Sequence, residues 1–299
     1  MATLGIGVII NESRVIDVAK TLRDVGLKTI YAIEDHDPQL EAVKIIFEET
    51  SHIGYTCLLA VANSLISYKL AVRGEKYWLE FGLCMSKTKP LLEEALGNFM
   101  KFLKEKKLNV FNMDAKVKRL ETFLKSPLAT RIYSNPQLYI HDLEKLRKAI
   151  AETLKTNPDS KTVVFSIKMF YYAYYVSTGK RIAIPFTIPL PVDVRISALT
   201  LSSGVIEIPS IRDFRSKTYY LLGKRPSEVR KIWLKISMLC KIPSLNIDSL
   251  LWPLGMFVLD NLPRNDLVSQ TLKYLKSMLS EYGEWSKIEK LVHEILKYY

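Results

Sequence analysis

The stretch "KTVVFSIKMFYYAYYVSTGKRIAIPFTIPLPVDVR", residues 161–195, decides how this chain is read. Residues 161–177 are apolar or aromatic on nearly every helical face, and Gly179 closes the run. That pattern is a core helix. Prolines at 185, 189 and 191 then exclude a regular helix and favour an extended backbone of low conformational entropy. The stiff piece ends on Val192-Asp193, where a second apolar helix pattern begins, and Asp193 suits the N-cap of that helix.

Working outward, the same 3.6-residue period recurs along the chain. Helices are expected over Ser13–Val25 before Gly26, Pro38–Glu49 with proline at its first position, and Leu58–Val72 before Gly74. Further ones follow at Lys76–Gly82, Lys89–Lys106, Met113–Lys125, Asp142–Lys155, Val194–Ser203, Ser227–Leu239 and Asp248–Leu262, with two more at the C-terminal end. No fixed-period repeat is present, and the Val/Ile/Thr runs do not alternate over a useful length. The expected fold class is all-α.

The chain has 299 residues and a formal net charge of +12, which favours a polyanionic partner over a neutral one. Its three cysteines, Cys57, Cys84 and Cys240, are too few and too far apart for a paired metal motif or an even disulfide set. His36, His52, His141 and His293 show no metal-ligand spacing, so no metal site is expected. The opening MATLGIGVIINESR lacks a basic region before its apolar run, and no stretch is long enough to span a membrane. A cytoplasmic protein without a membrane partner is the expectation.

Two lysines in the opening stretch bear on chemistry. Lys161 starts the apolar helix after the turn "NPDSK", at the end where the helix dipole disfavours a cation. Such a place favours the neutral, nucleophilic amine. Lys168, two turns deeper, is the competing candidate; it could otherwise reach the surface or pair with an acid.

"SKTVVF" followed by "PVDVR" resembles the helix-hairpin-helix DNA glycosylases, in which a lysine opens the second hairpin helix and an aspartate downstream caps another. In detail the chain is similar to the archaeal 8-oxoguanine DNA glycosylase/lyase family, AGOG. The likeness runs through "DPQ" (37–39), "NSLISYKL" (63–70), "GEKYW" (74–78), "KTVVFSIKMFYYAY" (161–174), "PFTIPLPVDVRI" (185–196) and "IDSLLW" (247–252). "TNPDSK" stands where the wider superfamily has a glycine-rich hairpin, a departure that the archaeal group shares.

The resemblance implies a two-lobed all-α glycosylase that excises 8-oxoguanine from double- or single-stranded DNA and then cuts the strand as a monomer. It implies a hairpin and catalytic lobe over about 127–211, with 1–126 and 212–299 forming the other, and the base pocket between them. Lys161 is then the Schiff-base nucleophile and Asp193 its carboxylate partner, delivered opposite it by the stiff proline connector, and the two suffice with neither metal nor organic cofactor. Gln39, Ser67, Trp78, Phe165, Pro189, Asp248 and Trp252 are the implied base-pocket residues.

Read singly, these residues have ordinary roles: Phe165 in the core, Trp78 and Trp252 in the core or at an interface, Asp248 as an N-cap, Gln39 in a solvated turn, Ser67 as packing. Pro253 directly after Trp252 is expected to remove a helix hydrogen bond or kink the chain. The Lys-rich section 100–125 and "RDFRSK" at 212–217 are candidates for phosphate contacts, or else solvated helix faces. The C-terminal "WSKIEKLVHEILKYY" is expected to pack on the domain. A glycosylase for another lesion and a non-catalytic helical DNA-binding module are the alternative functions.

Overall fold

The computed structural model describes residues 7–279 and 284–299; the first six residues of the opening stretch lie outside them. Among the described residues there are fifteen α-helices: α1 Glu12–Glu34, α2 Pro38–Thr50, α3 Ile53–Ile66, α4 Gly74–Met85, α5 Leu92–Lys106, α6 Met113–Leu124, α7 Pro127–Ser134, α8 Leu143–Thr153, α9 Lys161–Thr178, α10 Val194–Ser202, α11 Phe214–Lys224, α12 Pro226–Cys240, α13 Ser244–Leu254, α14 Arg264–Met278 and α15 Trp285–Ile295. The all-α class holds, since the two strands, β1 (Ile9–Ile10) and β2 (Ile206–Glu207), have two residues each. They pair antiparallel, Ile9 opposite Glu207 and Ile10 opposite Ile206.

The chain forms two compact units, one of residues 35–185 and one joining 1–34 to 186–299. These limits differ from the lobes expected at 127 and 211. The physical reason is α9: it packs most extensively against α3, so the chain from 35 to 126 shares its core with the segment that follows.

In the 35–185 unit, α3 is buried from Gly54 to Ile66 and α9 from Thr162 to Ala173. Each large apolar side chain so buried contributes about 1.5–3 kcal/mol. Two glycines set close crossings. A Cβ on Gly54 would lie 1.7 Å from the Tyr133 carbonyl oxygen of α7, and one on Gly82 of α4 would lie 2.5 Å from that of Ala42 of α2. Helix α3 ends at Ile66, six residues short of the expected Val72. The chain leaves the helix at Ser67, and Asn109 Nδ2 donates to the Ile66 carbonyl at 3.1 Å.

In the other unit, α1 and α10–α15 enclose a core that includes Val18, Leu22, Leu199, Trp233, Leu250 and Leu291. Trp233 donates to Thr200 Oγ1 at 2.8 Å. Helix α1 kinks at Gly26, which has φ 77° and ψ 160°, a backbone shape that favours glycine. The expected stop there is therefore a break within a longer run. Helix α15 buries Ile288, Leu291, Val292 and Ile295 in this core, so the C-terminal segment packs as expected. Helices α7 and α11 were not foreseen; both are short, with few buried residues to mark a period.

Candidate active site

The 35–185 unit carries Lys161 at the start of α9. Helix α8 reaches it through residues 154–160, with Lys155 in the left-handed region (φ 49°). Asn157 Oδ1 accepts from the Asp159 N–H at 2.7 Å, and the Ser160 N–H donates to the Asn157 carbonyl at 3.0 Å. Buried Arg147 of α8 donates to Glu144 at 2.9 Å and to Asp159. The turn between α8 and α9 is thus held by side chains. Lys161, half-buried, is the first residue of an 18-residue helix. Beside it Thr162 Oγ1 accepts from Arg119 of α6 at 2.8 Å, and burial lowers the pKa of that guanidinium.

One turn along α9, Phe165 packs edge-to-face on Trp78 of α4, ring centroids 5.8 Å apart at 86°. Gln39 is buried, not a solvated turn residue, and its Oε1 has no hydrogen-bond partner among the described residues. Ser67 Oγ donates to the Asn63 carbonyl at 2.7 Å.

Lys168 resolves between its alternatives. It is 1 % exposed, and its ammonium lies 3.7 Å from Asp37 Oδ2, an oxygen that also accepts from Tyr172 at 2.9 Å. The other carboxylate oxygen of Asp37 accepts from the Gln39 N–H at 2.8 Å and so caps α2. Lys168 is paired with an acid, and the pair ties α9 to the helix that bears Gln39.

The unit formed by 1–34 and 186–299 carries the other four residues. Residues 186–193 contain no helix or strand, and Pro189 is buried. Asp193 is half-buried and caps α10, Oδ1 accepting from the Ile196 N–H at 3.0 Å. Asp248 is not an N-cap: α13 begins at Ser244, which places Asp248 buried inside the helix, one turn before Trp252. Trp252 is half-buried under the Arg195 guanidinium, 4.2 Å from the ring centroid. Pro253 lies in the last turn, and α13 continues past it to Leu254. A Cβ on Gly255 would come within 2.9 Å of Arg195 Cβ, so glycine there admits the arginine.

Three features were missed from the sequence: Arg119 on Thr162, Arg195 on Trp252, and the burial of Lys116. The last corrects the Lys-rich section 100–125, where Lys116 has no exposed surface while Lys101, Lys104 and Lys118 are exposed. Its signal was its position among apolar residues of α6 at helical spacing. Burial pushes the Lys116 ammonium down to about 8, with the nearby Lys69 charge acting in the same sense. Among the described residues no His/Cys/Asp/Glu group could hold a metal ion, and no helix is long and apolar enough to cross a membrane.

The family model for AGOG N-glycosylase/DNA lyases matches residues 19–290. An N-glycosylase/DNA lyase of Pyrobaculum aerophilum is 32% identical over 249 residues, 83% of this chain and 88% of that protein. That of Methanopyrus kandleri is 31% identical over 232 residues, 77% and 86% of the two chains. The crystal structure of the 8-oxoguanosine complex of Pa-AGOG, the 8-oxoguanine DNA glycosylase from Pyrobaculum aerophilum, superposes with a TM-score of 0.70 at 29% identity, covering 92% of this chain and 98% of that one. With the fold, the matched span and the identities in agreement, the chain belongs to the AGOG N-glycosylase/DNA lyase family.

Proposed function

We propose that this protein is a bifunctional glycosylase and abasic-site lyase of the helix-hairpin-helix type. It acts in the cytoplasm as a monomer on double- or single-stranded DNA that contains 8-oxoguanine. The observation that carries the reading is Lys161 at the head of α9, one turn from the Phe165–Trp78 pair.

In this reaction the damaged base leaves the stack, since its sugar cannot be reached within a duplex. Phe165, Trp78, Pro189 and Trp252 offer apolar and aromatic surface, while Gln39, Ser67 and Asp248 offer polar groups to the base edge. The Lys161 amine attacks C1′, the bond from C1′ to the base breaks, and the base departs with a proton. Opening of the sugar ring leaves an iminium on Lys161. Loss of a C2′ proton then breaks the C3′–O bond by β-elimination and releases the strand on the 3′ side, which keeps the phosphate at its 5′ end. Asp193 supports the positive charge that develops on the sugar and accepts the proton from the lysine. No metal enters the scheme.

The test is cleavage of a duplex with one 8-oxoguanine beside the same duplex with one oxidised pyrimidine. Faster excision of 8-oxoguanine is expected. Preference for the pyrimidine would reassign the substrate, and binding without excision of either would leave a DNA-binding module.

A further inference from the structure

In the 35–185 unit a buried chain of hydrogen bonds starts at a cation. Lys116 Nζ donates to Asn109 Oδ1 and reaches the Lys69 carbonyl at 3.5 Å, with the Tyr68 ring centroid 4.6 Å away. Asn109 Nδ2 donates to the Tyr77 hydroxyl at 3.2 Å, and Tyr77 donates to Asn63 Oδ1 at 2.6 Å. Asn63, Tyr77 and Lys116 are fully buried, and Asn109 is 1 % exposed.

The head of the chain sets its direction. An ammonium only donates, so Asn109 must turn its oxygen to Lys116 and its amide nitrogen to Tyr77. Tyr77 accepts that bond and spends its single O–H on Asn63. Asn63 therefore turns its oxygen to Tyr77 and its Nδ2 the other way. That Nδ2 is buried and has no hydrogen-bond partner among the described residues. A buried donor left unmade is costly, which is grounds to ask what it serves. Its neighbours are base-pocket candidates: Ser67 donates to the Asn63 carbonyl one turn along, and Trp78 directly follows Tyr77.

We infer that Asn63 is a further base-recognition residue, its carboxamide N–H donating to a carbonyl oxygen of the everted base, and that Lys116 is a positioning residue that fixes the polarity of the chain leading to it. This rests on the function proposed above. The lowered pKa of Lys116 is consistent with a cation held there without a carboxylate partner.

The test compares wild type, Asn63→Leu and Lys116→Met on two duplexes, one with 8-oxoguanine and one with a natural abasic site. Strand cleavage at the abasic site needs no base recognition, so it reports on folding and on the lysine chemistry. Both variants should lose about 10- to 100-fold in single-turnover excision of 8-oxoguanine while abasic-site cleavage stays within about twofold. Unchanged excision in either variant, or a parallel fall on both duplexes, would overturn the inference for that residue. Failure of the wild type to excise 8-oxoguanine would instead remove the functional reading, and this inference with it.

Discussion

At the residue scale, two side chains carry separable burdens. Asp193 is both the proposed carboxylate of the reaction and the observed cap of α10. Asn caps as well as Asp does, so Asp193→Asn should leave thermal stability near wild type and lower the excision rate about 100-fold. A single-turnover assay paired with a melting curve checks this; a lost melting temperature with normal excision would make Asp193 a cap alone. Lys116 gives a pH signature. Its pKa falls from about 10.4 in an unfolded chain to about 8 when folded. Between those values the unfolded chain binds more protons at this position, so its contribution to stability rises with pH; below about 8 the penalty is complete. Urea midpoints at pH 7.5 and 9.5 should therefore show wild type gaining on Lys116→Met by about 1 kcal/mol or more.

At the element scale, α3 and α9 hold the 35–185 unit together, and the Lys168–Asp37 pair joins α9 to α2. Removing one partner of a buried pair leaves the other uncompensated, so Lys168→Met should cost about 3–5 kcal/mol in chemical denaturation. Gly54→Ala should destabilise as well, because the new methyl group meets the Tyr133 carbonyl of α7. Much at this scale was legible in the sequence. Gly179, Pro38 and Asp193 sit where the helix limits fall, since their effects on the backbone are local. Helix α3 was drawn too long because residues 67–72 keep an apolar period, and only the distant Asn109 shows where the helix lets go. Asp248 was read as a cap because the residue at the N-cap of α13 is Pro243, which has no capping side chain to mark the start.

At the scale of the whole molecule, pattern reading reached the helical class but not the grouping of the chain. Periodicity reports which face of a helix is buried, not what covers it. So residues 35–126, expected with 212–299, could not be assigned to the unit of α9 from their own sequence. The same limit hid the pairs Lys168–Asp37 and Arg195–Trp252, each of which brings together residues more than fifty positions apart. The net charge of +12 bears on the molecule as a whole. Affinity for a duplex without a lesion should fall linearly with salt on logarithmic axes, with a slope between about −4 and −8. Replacing exposed Arg212 and Arg215 by Ser should make that slope shallower by about one to two units, as read by fluorescence anisotropy.

The most direct test of the central claim is borohydride trapping on a duplex with one 8-oxoguanine, run with wild type, Lys161→Gln and Lys168→Gln. Reduction makes the iminium permanent, so the gel shows which protein was joined to DNA. Wild type should give a covalent adduct, Lys161→Gln none, and Lys168→Gln an adduct in whatever fraction of it is folded. An adduct that persists in Lys161→Gln and vanishes from folded Lys168→Gln would contradict this and move the nucleophile two turns down α9.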